Sequence, residues 1–486
     1  MHTFRGSALV RAHAFLLLLA CACSAYDDDA TLSNYASVGG VTWESDIALL
    51  VADKCVGCHQ RGGIAPFSMQ DYASARAWAP AMADAVEQGR MPPFLADETE
   101  HCQPRLPWAQ DLRLTRSQKR TLRAWAQAGA PEGERAEGVT RAQPELVRLP
   151  REDVVMRLPE PIEVRGDRDI HTCVLVDPGL DRDSYVTGRL VTAGNARVLH
   201  HVVSYVVMPG KNADGSDRDK RQLEAAIRDE HGVGIGGRWD CFGGGNLPNL
   251  TLEMLDGWAP GGLPNLAPPN SGQPLDRDAL ILLDVHYHPT GQTELDVDTR
   301  LSLMLADERP ALISRVLLFG NARGHDVYES GTNDLLQQPG EDKPEFLIPA
   351  EAKDHVEEMT WTWNVANNAF RVYAAATHMH YVGRDMRVTL ERAKSLDDEC
   401  LIQTPQWNFN WQRGYAYAAD FEDLPQMGGH DVVRLRCVYD NTMQNRFVAA
   451  ALADRGLDAP VDVALGEDSL DEMCVAGLGI IYPNNN

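Results

Sequence analysis

Basic side chains are the first thing this chain of 486 residues is short of: 45 Lys and Arg stand against 70 Asp and Glu, a formal net charge of −25. Binding a phosphate backbone needs a basic face, so nucleic acid is excluded as a partner. Acidity of this kind reads as a solubility property of an exported protein. Long hydrophobic runs are lacking too, since none reaches the roughly 18 residues of a membrane-spanning helix. The apolar run FLLLLA at 15–20 is far shorter and follows Arg5 and Arg11, the pattern of a secretory leader. Leu18-Leu19-Ala20-Cys21 looks like the box preceding a lipidated cysteine, with Cys21 the modified residue and Cys23 the alternative. The expectation is an exported bacterial lipoprotein, periplasmic or anchored to the outer membrane, that meets a membrane only through that lipid. Residues 1–23 are then leader and 24–41 an acidic linker.

Cysteine is modest at ten residues, which fits an oxidising compartment. Two lie in the leader and two in Cys55-Val-Gly-Cys58-His59, the attachment pattern of a c-type haem. The thiols form thioethers to the porphyrin edge, and the adjacent His59 is placed to bind iron axially. A redox C-x-x-C has no need of the following histidine, and a zinc site would need two more ligands, for which His101 and Cys102 are candidates. Met69, Met82 and Met91 all follow His59, and a thioether ligand raises the haem potential. Met91, in the turn-like GRMPPF, is the preferred sixth ligand. Thr115 and Gln118 make a capping box, Leu122 and Trp125 an apolar stripe, and Gly129 with Pro131 a stop. Helix, C-x-x-C-H, methionine and helix in that order resemble a class I cytochrome c over 42–131, followed by a polar linker at 132–150. The remaining six cysteines, Cys102, Cys173, Cys241, Cys400, Cys437 and Cys474, allow too many pairings for the sequence to choose.

From about 150 the texture changes to short Val/Ile/Leu/Tyr/Thr-rich runs separated by Gly, Pro and Asn turns. That pattern predicts antiparallel β-sandwiches rather than βαβ units, and the length calls for two, at 151–307 and 308–486. AIRDEHGV is an expected helical excursion. Three of the runs carry histidine pairs: LHHVVSYVV with His200 and His201, DVHYH with His286 and His288, and THMHYVG with His378 and His380. On a strand, residues two apart share a face, so His378 and His380 can chelate one ion. Adjacent His200 and His201 can do so only where the strand bulges or ends. Nitrogen ligands alone suit zinc, copper or iron, whereas a thioether such as Met473 in DEMC would favour Cu(I).

The ordered series LHHVVSYVV, DVHYH, THMHYVG, RLRCVYDN and DEMC resembles the copper type II, ascorbate-dependent monooxygenases, the family of peptidylglycine α-hydroxylating monooxygenase and dopamine β-monooxygenase. The match covers roughly 165–486. The resemblance implies a mainly β fold of two jelly-roll-like sandwiches, one copper in each, facing across an open cleft and preceded here by a small all-α cytochrome c domain. It implies an electron-transferring copper on His200, His201 and His286. It implies an oxygen-activating copper on the catalytic His378, His380 and Met473, and a disulfide between Cys437 and Cys474. His288 has no family counterpart and reads as a neighbour. Peptide-amidating members anchor a carboxylate through an Arg and a Tyr where this chain has Ala376 and Gly477, which argues against amidation. The expected cofactors are two copper ions and one covalent haem c. The expected partners are O2, an unknown small-molecule or peptide substrate, and an electron donor, either an ascorbate-like reductant or a redox protein. An exported electron-transfer or copper-sensing lipoprotein without hydroxylase activity is the rival expectation.

Overall fold

The computed structural model describes residues 40–485 apart from 62–64, 135–147, 167, 213, 242–243, 248, 321–330, 337–343, 364–368, 395–396, 467 and 469. The leader with Cys21 and Cys23, and most of both linkers, lie outside the described residues. Among the described residues four α-helices precede residue 130: Ala48–Lys54, Tyr72–Arg76, Ala79–Glu87 and Arg116–Gln127. The last begins as its sequence requires, with Thr115 Oγ1 accepting from Gln118 N and Gln118 Oε1 from Thr115 N. Gly129 then takes the left-handed conformation at φ +83, which releases the chain from the helix. Ile47, Leu50 and Val51 are buried with Leu122 and Trp125 in one cluster. Trp125 lies 5.9 Å from Trp43, ring to ring, and its Nε1 donates to the Pro131 carbonyl.

Beyond Val154 the chain is mainly β. Among the described residues its strands form one ten-stranded sheet, two of five strands and two of two. The expected helical excursion is present as Lys220–His231, with a capping box between Asp219 and Gln222 and Gly232 at φ +75 ending it. One core gathers Ile281, Leu283, Val285 and Leu303; another gathers Trp361, Leu435, Tyr439 and Leu478. The two halves nevertheless share a sheet across residues 307 and 308. Leu312–Gly320 pairs in parallel with Ser271–Leu275 on one side and antiparallel with Val475–Pro483 on the other. Pairing across the seam leaves neither half with an open strand edge there.

Nor does the N-terminal part stand apart. Residues 94–111 run along the second half, where Trp108 stacks on Tyr417 at 4.9 Å and 15°. Ala109 N donates to Ala416 O at 2.7 Å and Leu95 N to the Tyr415 hydroxyl at 2.9 Å. A disulfide, Cys102–Cys400, pins the same face. It also takes Cys102 out of the zinc alternative, because a disulfide sulfur offers no thiolate. Cys173–Cys241 and Cys437–Cys474 complete three bridges, the last being the pairing that the resemblance implies. Three bridges belong to the chemistry of an oxidising compartment. Among the described residues no helix is long and apolar enough to cross a membrane.

Candidate functional site

The first histidine cluster is built on Leu280–Tyr287, a strand whose every residue is buried. Ile170–Val176 and Leu199–Val207 flank it, and the two registers place His171, His286 and His201 in one row across three strands. His200 is the residue that the ladder skips: His286 pairs with His201, then Tyr287 with Leu199. This is the bulge that an adjacent pair needs if both rings are to reach one point. His201 Nδ1 lies 3.1 Å from His200 Nδ1 and 3.2 Å from His286 Nδ1. Nitrogens about 2.0–2.1 Å from a shared ion would show separations of this size. Burial, then the neighbouring imidazoles, hold His200 down at about 3 and His201 well below its ordinary value. Both are therefore neutral, the form that binds metal.

The opposite nitrogen of His286 is buried against a carboxylate, close to it but without the geometry of a hydrogen bond. Nε2 lies 3.0 Å from Asp169 Oδ2, while Oδ1 of the same carboxylate lies 2.7 Å from His288 Nδ1. Burial alone would raise the pKa of Asp169, but the adjoining His286 and His288 imidazoles carry it well below the carboxylate range. A carboxylate on one imidazole nitrogen directs the other toward a metal and raises its basicity. His288 thus acts through Asp169 rather than joining the cluster. His171 stacks on His286 at 4.1 Å and 15°.

The second cluster sits where Phe370–His378 ends. That strand pairs with Val475–Pro483, Ala376 facing Gly477 and His378 facing Val475. The ladder ends there, two positions before His380 on one chain segment and two after Met473 on the other. Their main chains are joined by Glu472, fully buried, whose Oε2 accepts from His380 N at 2.8 Å and Met473 N at 2.9 Å. Its Oε1 accepts from Val382 N and Gly383 N at 2.9 and 3.0 Å. Burial pushes this carboxyl up to about 8 against the pull of the four amides. The Tyr439 hydroxyl donates to Met473 O, and Cys474 next to it is bridged to Cys437. Gly383 is obligatory, since a Cβ there would come within 2.6 Å of Met379 Cβ and 3.0 Å of the Trp407 ring.

Here the free nitrogen is the other one. His380 Nδ1 donates to the carbonyls of Asp468 and Asp471, both at 3.0 Å. His378 Nδ1 donates to Gln412 Oε1 at 2.8 Å, and Gln412 is oriented by its own Nε2 donating to Phe409 O. Because these acceptors have no proton to give, Nδ1 carries it on both rings and Nε2 is left for a ligand. The rings lie 5.1 Å apart at 84°. Burial lowers both pKa values, that of His380 to about 3.

The two clusters do not face an open cleft. Phe409 is buried in contact with both, stacked on His200 at 4.9 Å and 20° and 6.0 Å from the His380 ring. The short turn Phe409–Trp411, capped by Asn408, places it there.

The C-x-x-C-H lies at the end of Ala48–Lys54. Cys55 and Cys58 are unpaired, and burial followed by the charge of Cys58 pushes Cys55 up to about 12. His59 Nδ1 donates to Phe67 O at 3.1 Å, leaving Nε2 available, and the ring is nearly buried. Met91 is half-buried against the cluster that contains Met69 and Met82, which are core residues. Cys58 Sγ lies 3.9 Å from Gly261 O, so the motif abuts the first β half.

Comparison with known proteins adds no relative. No family model matches the chain, and no curated protein matches it. Among solved structures, that of an allantoicase aligns with 58% of this chain and 80% of its own at 11% identity and a TM-score of 0.14. A structure of infectious bursal virus derived T=1 particles aligns with 69% and 79%, also at 11% and 0.14. Scores that low establish no common fold.

Proposed function

We propose that this chain is a copper-dependent monooxygenase that hydroxylates a C–H bond of an organic substrate with O2, its electrons entering through a covalent haem c. The observation that carries the reading is the opposed use of ring nitrogens. Three Nδ1 atoms converge in one cluster, whereas Nδ1 is engaged and Nε2 free in the other. Two differently built mononuclear sites follow: His200, His201 and His286 would hold one copper, and His378, His380 and Met473 the other. Bound there, two coppers would supply, one electron each, the pair needed to turn O2 and R–H into R–OH and water with two protons. Cys55 and Cys58 would carry the haem, His59 Nε2 and Met91 its iron.

The chain's own residues prepare those sites before any ion arrives. Asp169 fixes His286, Gln412 fixes His378, and two carbonyls fix His380. Glu472 holds the loop 380–383 to Met473. Ala376 and Gly477, paired across the ladder, offer no charge for a substrate carboxylate. Export with a lipid on Cys21 or Cys23 belongs to the same proposal; the three disulfides support the export and do not bear on the lipid.

Phe409 between the clusters favours the second reading, an electron-transfer or copper-sensing lipoprotein, because it fills the space where a substrate would sit. Oxygen uptake by the copper-loaded protein with ascorbate separates the two. Hydroxylase chemistry predicts that Met473→Ala abolishes uptake while haem reduction persists. Uptake unchanged by that substitution, or absent from the unsubstituted protein, favours the carrier.

A further inference from the structure

Residues 407–413 touch both histidine clusters within a span of seven positions. Trp407 Nε1 donates to His380 O at 3.1 Å, and the Trp407 ring lies 6.4 Å from that of His378. Phe409 stacks on His200 and approaches His380 edge-on. Gln412 holds His378 Nδ1 and donates to the carbonyl of Phe409 itself. One turn therefore carries the ring that rests on the first cluster and the amide that orients the second.

We propose that this turn couples ion binding at the two clusters, so that filling one raises the affinity of the other. The inference rests on reading both clusters as metal centres. An ion on His200 immobilises its ring, and Phe409, stacked on that ring, loses freedom with it. Fixing Phe409 fixes the carbonyl that Gln412 donates to, and the amide oxygen is then already aimed at His378 Nδ1. The ordering cost of the turn is incurred at the first binding event and not at the second, which makes the second tighter. By linkage the effect is reciprocal and of equal size from either side. Phe409 and Gln412 are positioning residues in this scheme, since neither offers a ligand atom to the ion.

The test is an anaerobic Cu(I) titration of the full-length protein against a competing chromophoric chelator, compared with Phe409→Leu and Gln412→Leu. Leucine at 409 keeps an apolar side chain there while losing the stack, and circular dichroism reports whether either variant has kept its fold. In the unsubstituted protein the second Cu(I) is expected to bind about 5-fold or more tighter than independent sites allow. Both variants should still take up two ions, now with independent affinities. Independent binding in the unsubstituted protein overturns the coupling and leaves the metal centres standing, as does cooperativity that survives both substitutions. No Cu(I) bound at either cluster overturns the metal reading, and the coupling with it. If Phe409→Leu does not fold, Gln412→Leu alone decides.

Discussion

Glu472→Gln is the sharpest probe of the second cluster, because it changes one atom and keeps the shape. The carboxyl group accepts four backbone N–H groups, two on each oxygen, inside a fully buried pocket. An amide has one acceptor oxygen. Whichever way Gln is turned, two of the four donors meet an NH2 group instead and are left without a partner. A buried donor stranded in this way costs about 1–3 kcal/mol, so the substitution should destabilise by about 2–6 kcal/mol. In a domain of this size that lowers the melting temperature by roughly 4–24 °C, at about 2–4 °C per kcal/mol. Differential scanning calorimetry of the ion-free protein reads this directly. The damage should also be local: if His380 N or Met473 N is among the stranded donors, Cu(I) affinity falls at that cluster and not at His200, His201 and His286. A melting temperature within a degree of the unsubstituted protein, with both affinities intact, would refute the reasoning that Glu472 clamps the loop.

Asp169→Asn should weaken binding at the first cluster about 10–100-fold, with the second unaffected, as measured by chelator competition. Gly383→Ala drives a Cβ against Met379 and Trp407 and should cost about 1–3 kcal/mol, seen as a lowered denaturation midpoint in urea. Replacing both Cys437 and Cys474 by Ser removes the tie beside Met473. It should cost about 2–4 kcal/mol and weaken Cu(I) at the second cluster more than at the first.

What the sequence disclosed was local. C-x-x-C-H, the capping box at Thr115 and the stop at Gly129 are each complete within a few residues, and the structure repeats the last two. The demand that His200 and His201 meet only at a bulge follows from strand geometry alone, and the ladder skips His200 as required. What escaped notice depends on long-range pairing. Asp169 and His171 reach His286 only because two strands over a hundred residues apart in sequence lie side by side, although the alternation Asp169, His171, Cys173 on one strand face was a signal to be read. Gln412 and Phe409 carry no motif, and Glu472, although it stands in DEMC, had no role to read from it; each acts on a partner more than thirty residues away or on another element. The open cleft expected from the resemblance was wrong for the same reason, since nothing in NFNW announces that Phe409 turns inward between the clusters. The packing of 94–111 on the second half was hidden likewise, its one available cue being two cysteines, Cys102 and Cys400, that had four other candidates between them.

Metal content per chain of the mature, copper-loaded protein bears most directly on the central proposal. Copper, zinc and iron would be determined by mass spectrometry on protein freed of loosely bound ions. Two coppers and one iron are predicted, the iron as covalent haem. Zinc in place of copper, or no copper retained above background, would contradict it.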